Sequence, residues 1–330
     1  MDNATTHSER FGFAVTVDLV ALRIRAGQLC VLVVRRDREP FRDRWALPGG
    51  FVRRSASGAL ENLDEAAARE LREETGLGLR RAPYVAQLAT YGDPGRDPRG
   101  DVVTAAYLAV ISSEPKLHPG GDASAVGWLP VHRLEDGYEL AFDHRQIALD
   151  GVAKVRDLVQ YTALATAFCG DRFSIANLRR AYEIIWNRAA DDGLDPGNFQ
   201  HRIGKMEGLL REATSQVPPR DFVTLGLGPR PRVRTARPIV VRDELAAGGG
   251  ASEADSPEGP FTLDPSGQAS LETMAAATTP RGGPRPVLFE PGPLVRTSGF
   301  MAPLDRPILD HPKMAPPRSL ERNRKSQPSG

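Results

Sequence analysis

The chain has 330 residues, 40% of them hydrophobic, with 43 Lys and Arg against 42 Asp and Glu for a formal net charge of +1. At roughly 150 residues per domain this length predicts two domains, while 28 prolines and an aromatic content of 6% imply that part of the chain does not fold compactly. Cys30 and Cys169 are the two cysteines, too few for a disulfide scaffold or a Cys-based zinc cluster. From the polar opening MDNATTHSER and the lack of any apolar run near about 20 residues, neither a secretory signal nor a membrane span is expected. The expectation is a cytoplasmic protein without a membrane partner.

Three regimes follow one another along the chain. In residues 11–150, the runs Phe13–Ile24, Leu29–Val34 and Val102–Ile111 are rich in Val, Ile and Leu and predict β-strands. Between them lies LPGGFVRRSASGALENLDEAAARELREETGL. Here Leu63–Thr75 reads as a helix with Ala66, Ala67 and Leu71 on its apolar face and Gly76 as its stop. Glu70, Glu73 and Glu74 stand at i, i+3 and i+4, so their carboxylates share one side of the helix. Clustered hard oxygen ligands suit Mg²⁺ or Mn²⁺, and such an ion can bridge to a diphosphate. Spacing alone equally fits a solvated acidic face. Arg69 can orient Glu70 or contact Glu61, and Gly49-Gly50 lets the backbone come close, with the Gly50 carbonyl as a further candidate ligand.

From residue 151 to about 212 the periodicity becomes helical. Ser174 is an N-cap candidate for a helix with Ile175, Leu178, Tyr182 and Ile185 on one face. Asp195-Pro196 then starts a second helix. That helix carries Asn198, Gln200, His201, Arg202 and Lys205, groups able to meet base edges and phosphates. RDFVTLGLGPRPRVRTARPIVV follows and can form two strands with a basic tip, where Arg230, Arg232 and Arg234 alternate. Residues 171–242 hold thirteen Lys/Arg against eight Asp/Glu, which suits contact with a polyanion. The pattern predicts a winged helix-turn-helix; a small dimerisation domain with a solvated basic hairpin is the alternative. In residues 243–330, 14 prolines and 10 glycines fall among 88 residues. Such a composition buries too little apolar surface to offset chain entropy, so this tail is expected to be disordered.

The stretch from Glu61 through Arg69-Glu70-Leu71-Arg72-Glu73-Glu74-Thr75-Gly76-Leu77 resembles the second half of the Nudix box at every fixed position. The first half departs from it, because ten residues separate Gly50 from Glu61 where the box has about five. The resemblance implies an αβα sandwich with a mixed sheet, followed here by the winged helix and the tail. It also implies that Glu70, Glu73 and Glu74 hold a divalent metal with Arg69 and Glu61 in support, and that the longer loop puts turnover in question rather than the fold. REPFRDRWALPGGFV and YGDPGRDPRGDVVTAAYLAVI are similar to segments of Nudix proteins that recognise ADP-ribose. In that likeness Arg44, Trp45, Phe51 and Arg96 or Arg99 contact the nucleotide. A Nudix domain followed by FDH, a connector ending LVQYTALATAF and a winged helix resembles the Nudix-related transcriptional regulators of NAD metabolism. The resemblance implies a homodimer that binds operator DNA and senses ADP-ribose or a related nucleoside diphosphate. The alternative it leaves is a Mg²⁺-dependent hydrolase of the ADP-ribose pyrophosphatase type with an accessory dimerisation domain.

Overall fold

A computed structural model describes residues 12–79, 82–113, 115–187, 193–206, 209–213 and 289–291. Long apolar runs with little alternation make strands buried on both faces, and β1 (Ala14–Arg25) and β2 (Gln28–Arg36) are of this kind. They form a hairpin that pairs Leu22 with Val31 and Ile24 with Leu29. Short strands β3 (Trp45–Ala46) and β4 (Gly49–Phe51) pair with β2 and β1 respectively. Beyond helix α1 (Leu63–Thr75) come β5 (Tyr84–Tyr91), β6 (Val102–Val110) and β7 (Ala123–Pro130). β6 runs parallel to β1 from Ala14↔Val102 to Leu22↔Val110, whereas β5 and β7 pair antiparallel with β6 and β2. The result is a seven-stranded mixed sheet, as the box resemblance implies.

Each face of the sheet has its own core. Val17, Leu19, Ala21, Leu32 and Ala105 pack with Ala66, Ala67 and Leu71 of α1 on one side. On the other, Val20, Leu22, Val31 and Leu108 pack with α2 (Val131–Glu135) and α3 (His144–Tyr161) through Val131, Leu134, Ile147, Val152 and Val155. This gives the expected αβα layering. At Gly151 a Cβ would stand 2.7 Å from a Val20 methyl, so glycine lets α3 lie directly on β1. The expected domain boundary at 150 falls inside α3. The helix belongs to the sheet's core at one end and to the following helices at the other.

After a 3-10 turn at Ala163–Phe168, α4 (Ile175–Ile185) begins at a Ser174 N-cap with a reciprocal Asn177 contact, and α5 (Pro196–Gly204) begins at an Asp195 N-cap with Pro in its first turn. Both starts are where the sequence puts them. Buried Glu183 ties the pair together: it is ion-paired to Arg179 and Arg180 and accepts the Leu194 N–H at 3.1 Å. Phe199 and Ile203 bury one face of α5, and Phe199 meets Tyr182 edge-on at 5.5 Å between ring centroids. The predicted wing, with Arg230, Arg232 and Arg234, lies outside the described residues.

The expected disorder of 243–330 does not extend to Phe289–Pro291. These residues form β9, which pairs antiparallel with β8 (Leu210–Glu212). The Phe289 N–H also donates to the Phe173 carbonyl at 2.7 Å, and the Phe289 carbonyl accepts the Phe173 N–H in return at 2.9 Å. Phe289 supplies a ring and its strand the ladder bonds that the surrounding Pro/Gly composition conceals. The rest of the tail lies outside the described residues. No helix among the described residues is long and apolar enough to cross a membrane.

Candidate nucleotide site

Helix α1 is built to present carboxylates. Asn62 caps it in a reciprocal box with Glu65, and Gly76 closes it in the left-handed conformation at φ 73°. Its apolar stripe faces the sheet, and this turns Glu70 and Glu74 under β4, where both are buried. Gly50 is the close approach. A Cβ there would lie 2.4 Å from a Glu70 carboxylate oxygen, so any larger residue would push that carboxylate away.

Arg69 organises the acidic cluster. It donates to Glu61 at 2.9 Å, to Glu70 at 2.6 Å and to the Phe51 carbonyl at 3.1 Å. Hydrogen bonding to Arg69 holds the Glu61 carboxyl below its ordinary range and raises Arg69 in turn. Arg53 pairs with Glu73 at 2.9 Å. Burial pushes Glu70 up, and it pushes Glu74 up to about 8 even though the Gly49 N–H donates to Glu74 at 3.0 Å. Glu70, Asp122 and Asp18 add like charge around Glu74. Among the described residues no three acidic, His or Cys side chains converge as a formed metal site, and arginines engage Glu70 and Glu73. The donor chemistry nevertheless fits a hard divalent cation. The oxygen-rich helix face lines the cavity, where Glu74 accepts the Gly49 N–H and interacts electrostatically with Arg36.

The ten residues between Gly50 and Glu61 turn back on themselves: Arg54 bridges Leu60, and the Ser55 N–H donates to Ala59 at 2.8 Å. They form a small exposed hairpin beside α1 and leave the capped helix intact.

These elements surround a cavity of about 390 Å³ lined by Glu70, Glu73, Glu74, Gly50, Phe51, Arg96 and Arg99, so the sequence brings most of its candidates to one place. Arg44 and Trp45 do not line this cavity. Trp45 pairs with Arg35 in the β2–β3 ladder and packs against the sheet core, and Arg44 is exposed at the preceding turn. Residues missed by the sequence reading take their places. Arg36 comes from the end of β2, and Phe142 and His144 come from the turn into α3. Arg99 lies 4.6 Å from the Phe51 ring centroid and 5.4 Å from that of Phe142, with Arg36 4.9 Å from Phe142. These alternating cations and rings form a platform suited to a planar base and to phosphate. The FDH tripeptide was the available signal, but nothing local told which way its ring faces.

Below the platform is a buried polar knot. Arg96 makes a two-pronged pair with Asp143 at 2.9 and 2.7 Å and reaches Asp18 at 3.5 Å. Asp97 is also buried, and burial alone would raise its pKa, but Arg99 holds it below its ordinary value. The Leu47 N–H donates to His144 Nδ1 at 2.9 Å, and His144 Nε2 faces Asp18 at 3.5 Å. Complete burial drives the His144 pKa down, which agrees with an imidazole accepting a backbone hydrogen bond.

On α5, Asn198, Gln200, His201 and Lys205 are exposed and Arg202 is half-buried. They occupy the surface opposite Phe199 and Ile203. Both cysteines are buried free thiols, and burial pushes Cys169 upward.

Residues 12–150 match the NUDIX domain family. The ADPR responsive transcriptional repressor NtrR of Acinetobacter baylyi is 33% identical over 202 residues, covering 61% of this chain and 76% of that protein. An ADP-ribose pyrophosphatase from Methanocaldococcus jannaschii is 39% identical over 122 residues, and these span 36% of this chain and 64% of the enzyme. The crystal structure of Shewanella oneidensis NrtR superposes with a TM-score of 0.50 at 28% identity, covering 60% of this chain and 87% of its own. The similarity to the repressor, at 202 residues, outruns the Nudix span and continues past residue 150. The chain therefore belongs to the Nudix superfamily and, within it, to the family of Nudix-related transcriptional regulators.

Proposed function

We propose that this chain is a DNA-binding transcriptional regulator of NAD metabolism whose Nudix pocket senses ADP-ribose or a related nucleoside diphosphate. The observation that carries the reading is the continuity of the pocket with α3 and the α4–α5 pair, because the turn that lines the cavity is also the start of the connector helix. In this reading Phe51, Phe142 and Arg99 hold the base, and Arg36 and Arg96 attract the diphosphate. Glu70, Glu73 and Glu74, with the Gly50 carbonyl, hold Mg²⁺ or Mn²⁺, which supplies charge neutralisation at the phosphate oxygens when bound. Arg69 and Glu61 keep Glu70 oriented. The α5 surface of Asn198, Gln200, His201, Arg202 and Lys205 reads operator DNA, and the segment with Arg230, Arg232 and Arg234 forms the wing that contacts phosphate. The functional units are then the pocket domain of residues 11–150, the connector helix and winged helix-turn-helix of 151–242 and the tail of 243–330. A homodimer in the cytoplasm, bound to a two-fold operator, suits this design.

The intact acidic face of α1 favours a second reading, a hydrolase of ADP-ribose in which the helix pair serves dimerisation. Calorimetry with ADP-ribose on the full chain, followed by phosphate release in Mg²⁺ and phosphatase, separates the two. The regulator reading expects saturable binding with turnover slow enough for the ligand to persist. Rapid turnover of every bound molecule would favour the enzyme.

A further inference from the structure

Asp143 stands at the N-cap of α3, the position where an aspartate ordinarily accepts a hydrogen bond from an orphan backbone N–H of the first turn. Here it makes no such bond. Both carboxylate oxygens are taken by Arg96, at 2.9 and 2.7 Å. The Arg96 side chain is 4% exposed, and Arg96 lines the nucleotide cavity, whereas Asp143 does not. One pocket arginine thus holds the residue that would otherwise cap the connector helix. The next residue, His144, is fixed to the Leu47 N–H, two residues before the glycine whose N–H holds Glu74.

The far end of the same helix is coupled to the helix pair. Arg156 donates to the Ile185 carbonyl at the end of α4 at 2.9 Å and pairs with Glu135 at 2.8 Å, and the Tyr182 hydroxyl donates to the Val159 carbonyl at 3.0 Å. With Gly151 seated on Val20, α3 lies directly on β1 and joins the cavity to α4.

We propose that Arg96 is a two-partner switch: it clamps Asp143 in the structure described, and a diphosphate in the cavity competes for its guanidinium, freeing Asp143 to cap α3 and shifting the helix pair. This rests on the pocket being the sensor of a nucleoside diphosphate and names how occupancy reaches the DNA-binding end. Charge favours the exchange, since a diphosphate offers the same two-oxygen geometry as the carboxylate and more negative charge. A ligand shifts the equilibrium only through contacts that differ between the two states, and the Arg96–Asp143 pair is such a contact.

The test is Asp143→Asn in the full chain, read by fluorescence anisotropy on a duplex from upstream of the protein's own gene, with and without ADP-ribose. The variant is expected to bind DNA equally with and without ligand, within about twofold, at the level the native chain shows only with ligand. A variant that keeps the native ligand-dependent ratio overturns the switch. If the native chain itself shows no ligand-dependent change, the sensor reading fails instead. Hydrogen exchange on the native chain gives a second arm that needs no variant and no DNA. ADP-ribose is expected to change protection of the amides of residues 144–148 at least about threefold, and unchanged protection there, with ligand bound, overturns the proposal.

Discussion

At Glu74, burial and three nearby acids work against ionisation, and the Gly49 N–H only partly offsets them. A carboxyl whose folded pKa is raised from 4.5 to about 8 stabilises the fold fully below the lower value. That contribution is lost as pH rises through the upper one, and amounts to a few kcal/mol at most. In EDTA the Tm of the full chain should therefore fall between pH 5 and pH 8, and Glu74→Gln should flatten the fall. If Mg²⁺ occupies the site, it should restore the native chain at pH 8 and do far less for the variant. Scanning calorimetry at the two pH values checks all three, and an equal fall in both proteins would place the cause elsewhere. The acidic cluster was readable because its signal is local: Glu70, Glu73, Glu74 and the Gly76 stop lie within seven residues of one helix. Phe142, Arg36 and His144 were not readable as pocket residues, because their neighbours, Arg99 and Leu47, are distant in sequence and meet them only through tertiary packing.

Element by element, strength of pattern decided what could be read. β1, β2 and β6 announce themselves as apolar runs, and α4 and α5 through Ser174 and Asp195-Pro196. Edge strand β5 mixes half-buried and exposed residues without regular alternation, and its Ala, Gln and Thr give a weak signal. β9 escaped because composition averaged over 88 residues hides three. Phe289 packs partly buried against the core that includes Phe173, so Phe289→Ala should cost about 1–3 kcal/mol, less than the loss for a fully buried Phe. A urea titration showing no shift in midpoint would mean that the strand adds nothing to the fold. On α5, Arg202→Ala should weaken DNA binding and lower the slope of log affinity against log salt by about 1. An unchanged slope would remove Arg202 from the phosphate-contacting set.

For the molecule as a whole, one helix lies in a core shared by the sheet and the helix pair, and this organises the proposed function. The αβα unit buries the first half of α3 through Ile147 and Val152, and the helix pair packs on its second half through Val159 and the Tyr182 hydroxyl. A rigid shared helix lets a ligand of a few hundred daltons bias the placement of an entire DNA-reading surface, provided the two states differ in ligand affinity. A hydrolase with an accessory domain has no need of such a connection. The most direct test is a gel-shift of the full chain on a duplex from upstream of its own gene, with ADP-ribose titrated at fixed salt. A specific shift whose midpoint moves at least about fivefold with saturating ADP-ribose is the result expected of a sensor-regulator. No specific shift at any salt, or one that ADP-ribose leaves unmoved while the compound is bound, would contradict it.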